Sequence, residues 1–110
     1  MATRTPRPGA PVRGSTRGRP IMALLDLLGR RWALRVLWEL RDGPLTFRAL
    51  QDAAGGVSPS VLNDRLRELR EARLVEQTEA GYGLTELGGG LLLDLAPLMA
   101  FSERWAHALQ

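Results

Sequence analysis

The sequence predicts a mainly α-helical domain with one small β-hairpin toward its C-terminal end. Three observations predict it. From Pro20 onward, apolar residues recur at helical spacing in five separate stretches. These stretches are punctuated by helix start and stop signals, Pro at first-turn positions, Ser or Thr caps, and Gly at the ends. Between residues 74 and 84, two short β-type pieces flank a turn sequence. At 110 residues the length suits a single domain, and 45% hydrophobic residues suffice for one core. No apolar run approaches the ~20 residues of a membrane span, and no secretory leader is read at the N-terminus.

Pro20 suits the first position of a helix. Ile21, Leu24, Leu25 and Leu28 follow on one face, and Gly29 ends the run. Ala33, Val36, Leu37 and Leu40 repeat the stripe in a second helix, which Gly43-Pro44 stops. Thr46 caps a short third helix reaching about Ala53, with Phe47 and Leu50 inward, and Gly55-Gly56 breaks it. Ser58 followed by Pro59 is a cap followed by Pro at the first helical position. Leu62, Leu66 and Leu69 then define the inward face of a fourth helix ending near Ala72.

The β pieces are Leu74 to Gln77 and Tyr82 to Leu84, around Glu79-Ala80-Gly81. Thr85 caps a long final helix. Leu91, Leu95, Leu98, Ser102, Trp105 and Leu109 are spaced alternately by four and three, a heptad seam for a partner helix. Gly88-Gly89-Gly90 weakens its first turns by roughly 1 kcal/mol per Gly against Ala, and Pro97 is expected to kink it. Two short helices joined by a tight turn, followed by a hairpin, make the winged helix-turn-helix plan. Here extra helices lie at both ends, the last of them carrying the seam for a partner helix. Residues 1–18 are set apart as a flexible arm rich in Arg, Pro and Gly, and residues 19–110 as the folded domain.

Charge is distributed unevenly. The first 19 residues hold five arginines and no acid, which leaves ten arginines against twelve acids from Pro20 onward, a net of −2. The arm is read either as a plain leader or as a non-specific phosphate-binding segment. Lys is absent altogether, which reads as coding bias rather than selection for Arg contacts. There is no cysteine, which excludes disulfides, thiolate metal sites and thiol catalysis. His107 is the single histidine, giving no metal site and no base–nucleophile pair. No nucleophile elbow or phosphate loop appears. The chain is therefore expected to be neither an enzyme nor a cofactor or metal binder. Trp32, Trp38 and Trp105 are read as packing residues rather than a ligand cage.

On the fourth helix, Ser60, Asn63, Asp64, Arg67 and Glu71 fall opposite the leucine face. Asn pairs with adenine, Arg with guanine and Ser with either, so Ser60, Asn63 and Arg67 are candidate groove readers. The plain alternative is an ordinary solvated face; position as second helix of a helix-turn-helix favours reading. Arg65 sits on the flank and suits a phosphate. Thr46 and Arg48 could clamp another at the third helix's N-terminus. The hairpin tip, Glu76-Gln77-Thr78-Glu79, is acidic; Gln77 and Thr78 could bond phosphates, and base reading there is not expected.

The runs Leu28-Gly29-Arg30-Arg31-Trp32, Leu40 through Gly43-Pro44, Phe47 and Leu50, then Val57-Ser58, Leu62 through Arg65-Leu66, Leu69 and Leu74-Val75, resemble the HxlR-type regulators. Tyr82-Gly83-Leu84-Thr85-Glu86-Leu87-Gly88 resembles that family's Y-x-L-T-x-x-G signature. The resemblance spans roughly Arg19 to Trp105. It implies a cytoplasmic transcriptional regulator, repression being the expected mode, that binds double-stranded DNA as a homodimer. The dimer would be built from the first and last helices, including Leu24, Leu91, Leu95, Leu98, Ser102 and Trp105. DNA contact is implied for Ser58, Ser60, Asn63, Arg65 and Arg67. Many members carry a sensing cysteine before the first helix; here Arg19 stands in that place, which removes thiol sensing. The wing is shorter and more acidic than the family's usual basic hairpin. A small-molecule effector is left open. The competing reading is a winged-helix module that binds a protein instead of DNA, favoured by the acidic wing and the −2 charge of the folded part.

Overall fold

The computed structural model describes residues 4–14 and 16–110. Helix α1 (Pro20–Leu28) starts with Pro20 at its first position and ends where the Gly29 amide bonds back to Leu25 O. Helix α2 is Ala33–Glu39, α3 is Phe47–Ala54, and α4 is Pro59–Glu71. The caps act as expected. Thr46 Oγ1 accepts from the Ala49 amide at 3.1 Å, and Ser58 Oγ from the Val61 amide at 3.2 Å. Gly55 closes α3 at φ 76°, a left-handed conformation suited to glycine.

The core lies where α2, α3 and α4 meet the foot of the hairpin. Val36, Leu37, Leu40, Leu50, Val57, Leu62, Leu66 and Leu69 are fully buried, with Leu27, Leu74 and Val75 beside them. The leucine stripe assigned to α4 from spacing is thus its inward face. Trp32 packs at the core's edge. Trp38 and Trp105 do not; both are exposed, and Arg41 lies over the Trp38 ring at 4.1 Å. Neither joins the core, because Trp38 stacks against Arg41 and Trp105 lies on α6, all of whose residues are exposed.

Strands β1 (Val75–Thr78) and β2 (Gly81–Leu84) pair antiparallel, from Val75 opposite Leu84 to Thr78 opposite Gly81. A third extended segment, absent from the sequence reading, joins them. Leu45 pairs with Tyr82 through two backbone bonds of 2.9 and 2.8 Å. Gly81 makes this approach possible, since a Cβ there would lie 2.3 Å from Leu45 O.

The expected long C-terminal helix is two, α5 (Glu86–Leu95) and α6 (Pro97–Ala108). Proline lacks the amide that would continue the first ladder, so Pro97 opens a new helix where a kink was expected. Thr85 caps α5 and also donates to Arg73 O at 2.6 Å, tying the helix to the end of α4.

The described arm residues do not stand free as expected. The Gly9 amide bonds Gly18 O at 2.9 Å, Arg13 pairs with Asp26 of α1 at 3.4 Å, and Arg30 donates to Arg4 O at 2.8 Å. Thr5 and Pro6 are buried. The segment lies as a strap against α1 and the C-terminal half of α4. Composition does not reveal this, because the Arg30 bond to Arg4 O and the Arg13–Asp26 pair join residues distant in sequence.

Candidate nucleic-acid interface

Helices α3 and α4, with the Gly55-to-Ser58 turn between them, form the helix-turn-helix. The turn is fixed by buried Val57 and by the Gln51 side chain, which donates to Val57 O at 3.1 Å. With Leu62, Leu66 and Leu69 locked into the core, Ser60, Asn63, Asp64 and Arg67 are turned to solvent. Asn63 and Arg67 stand one turn apart on that open face. Arg67 is flanked by carboxylates, 3.8 Å from Asp64 and 3.5 Å from Glu71. These i, i+3 and i, i+4 pairs are solvent-exposed and weak, so they can be exchanged for a base edge. Glu71's carboxyl is held below the usual carboxylate range, first by the Thr5 hydroxyl and then, against a smaller desolvation, by Arg67. That hydroxyl is buried, and its approach falls short of full hydrogen-bond geometry.

At the N-terminal ends of the two helices, Thr46, Arg48, Ser58 and Ser60 are all exposed. The Thr46 and Ser58 hydroxyls accept from their own helix amides. A hydroxyl that accepts in this way keeps its proton to donate, so both can still meet a phosphate. Ser60 Oγ lies 3.5 Å from Ser58 Oγ. Arg48 shares a shallow cleft with Gln51, Asp52 and Gly56 through Pro59; the Asp52 carboxylate there opposes an anion.

Two candidate contacts are placed differently from expectation. Thr78 Oγ1 donates to Gly81 O at 3.1 Å and accepts from the Ala80 amide, so the tight turn consumes its proton. Only Gln77 of the wing pair remains open, between exposed Glu76 and Glu79. Arg65 is not a free flank residue. Its side chain is 17% exposed, and its Nε lies 3.0 Å from Glu68 Oε1. Glu68 is itself buried, 2% exposed, and its Oε2 accepts from Arg30 Nη1. This buried carboxylate between two guanidinium groups escapes the sequence reading.

Among the dimerisation candidates, Leu91 lies against its own core, and Leu24 and Leu95 are half-buried. Leu98, Ser102 and Trp105 are exposed, as is every residue of α6. Met99 and Phe101, not singled out from the heptad spacing, are exposed with them. No helix among the described residues is long and apolar enough to cross a membrane.

The similarity of this chain to known proteins follows the same outline. An uncharacterised HTH-type transcriptional regulator of Methanocaldococcus jannaschii is 26% identical over 91 residues, covering 79% of this chain and 86% of that one. The HTH-type transcriptional regulator YodB of Bacillus subtilis is 27% identical over 101 residues, 86% of this chain and 90% of that one. The crystal structure of quinone-bound YodB superposes with a TM-score of 0.72 at 30% identity, covering 76% of this chain and 96% of that one. Residues 27–110 match the HxlR-like helix-turn-helix family. They contain the helix-turn-helix, the wing and both C-terminal helices, and the chain is therefore a DNA-binding transcription regulator of the HxlR-like family.

Proposed function

We propose that this regulator binds an inverted-repeat operator as a homodimer and represses transcription by occupying it. The observation that carries the reading is the open face of α4, where Ser60, Asn63 and Arg67 project from a helix whose opposite side is locked into the core. That is what a major-groove helix needs, mobile polar tips on a rigid rod. Thr46, Arg48, Ser58 and Arg65 serve as phosphate contacts around it, and Gln77 adds one from the wing. The acidic wing tip stays clear of the backbone.

Dimerisation is supported by unpartnered apolar surface. Leu98, Met99, Phe101 and Trp105 of α6, Leu109 just beyond it, and Ile21 and Leu25 of α1 are all at least half exposed. Such a collection on a small chain marks an association surface. A two-fold dimer reads a two-fold site, with half-sites about 34–36 Å apart. The YodB structure shows that a relative takes a quinone; with no cysteine here, an effector of this chain acts without thiol chemistry.

The test is hydroxyl-radical footprinting on a selected genomic fragment, with sedimentation of the free protein. The reading expects two protected patches one helical turn apart and a dimer at micromolar concentration. A single patch bound by a monomer would overturn it.

A further inference from the structure

One carboxylate buried between two guanidinium groups is an unbalanced cluster. Glu68 offers one negative charge to Arg30 and Arg65, leaving a net positive charge at the flank of α4. The two arginines are not held alike. Arg30, 11% exposed in its side chain, comes from the corner between α1 and α2 and makes the hydrogen bond to Glu68 Oε2. Its other terminal nitrogen is spent on Arg4 O, at 2.8 Å. Arg65 meets Glu68 Oε1 at 3.0 Å, but the approach does not satisfy hydrogen-bond geometry. Arg65 is therefore held mainly by charge and Arg30 by directed bonds.

We infer that Arg30 is a positioning residue for DNA binding: by neutralising Glu68 it leaves the charge of Arg65 for a DNA phosphate. The inference rests on the reading above that Arg65 meets a phosphate. Without Arg30, Glu68 would hold Arg65 in a closed, neutral pair, and the phosphate would face no net charge. With Arg30 in place, the phosphate completes a balanced set of two cations and two anions. The nearest alternative is that Arg30 merely keeps Glu68 buried and has no bearing on DNA.

The experiment is the salt dependence of duplex binding by the full chain, with thermal melts to verify folding. Arg65→Ala should lower the slope of log affinity against log salt by about 0.9 per subunit, the value of one phosphate contact. Arg30→Met should lower it as much, although Arg30 touches no DNA. Arg30→Lys should retain the slope. Arg30→Met combined with Glu68→Gln should restore it, because Arg65 then has no carboxylate to answer. A purely structural Arg30 predicts an unchanged slope in every variant that melts as a folded protein. If Arg30→Met does not fold, Glu68→Gln carries the test, and a lower slope in that variant overturns the inference. An unchanged slope in folded Arg30→Met, or no recovery in the double variant, overturns it as well. If Arg65→Ala leaves the slope unchanged, the phosphate reading of Arg65 fails first and takes the inference with it.

Discussion

Three consecutive glycines, Gly88 to Gly90, lie in the first turns of α5, and the structure separates them. Each would favour Ala by about 1 kcal/mol on helix propensity alone. At Gly88, however, an added Cβ would lie 2.1 Å from Leu74 O and 3.0 Å from Leu74 C. Relief to an ordinary contact near 3.4 Å requires helix and strand foot to part by roughly 1.3 Å. Leu74 O also accepts from the Thr85 amide at 3.1 Å, so that bond is strained in the same movement. Overpacking costs about 1–3 kcal/mol, and a weakened backbone bond adds about 1 kcal/mol. Set against the propensity gain, Gly88→Ala should destabilise by about 1–3 kcal/mol. At Gly89 nothing lies within 4 Å of the added atom, so Gly89→Ala should stabilise by about 0.5–1 kcal/mol. Helical circular dichroism during heating, at one fixed protein concentration, measures both. At about 4 °C per kcal/mol for a chain of this size, Gly88→Ala should melt roughly 4–12 °C lower and Gly89→Ala roughly 2–4 °C higher. Equal melting shifts for the two variants would refute the close approach of α5 to Leu74.

Changing Leu98 and Trp105 to Asp should produce monomers in sedimentation, since each buried apolar side chain contributes about 1.5–3 kcal/mol; an unchanged dimer would rule out the α6 face. Removing residues 1–18 should weaken all DNA alike and flatten the salt dependence by about 0.9 for each phosphate the segment neutralises, whereas a shifted sequence preference would mean that the segment reads a groove. Diamide should leave DNA binding unaltered, because the chain has no thiol; a loss that dithiothreitol reverses would contradict this.

The helices and caps are legible because each depends on neighbours in sequence. Leu62, Leu66 and Leu69 share a face whatever surrounds them, and Ser58 reaches an amide three residues on. The signature from Tyr82 to Gly88 is legible as a pattern, and its physics needs the fold. Tyr82 meets Leu45, Thr85 binds both Gly88 N and Arg73 O, and Gly88 backs onto Leu74. Long-range partners are the part that is not legible. Nothing near Leu45 announces a strand, since it contributes one isolated bridge. Glu68 falls well away from the leucine face, so the stripe gives no sign of its burial. Yet Val61 and Ala72, at i and i+11 around Arg65 and Glu68, are partly buried apolar residues packed on the core. With Arg65 and Glu68 between them they form a second stripe of spacing four, three, four, interrupted by those two charges, and Arg30, which pairs with Glu68, lies 38 residues before it. The arm is hidden for the same reason, as it is held by contacts distant in sequence.

The central claim is that α4 reads bases through Asn63 and Arg67. Binding-site selection from a random duplex library with wild type, Asn63→Ala and Arg67→Ala tests it most directly. Each substitution should cost roughly 1–3 kcal/mol on the preferred site and relax the motif at its own positions in both half-sites. Binding to unrelated duplex, which depends on phosphates, should barely change. Recovery of one and the same motif, with equal strength, by all three proteins would contradict base reading by this helix.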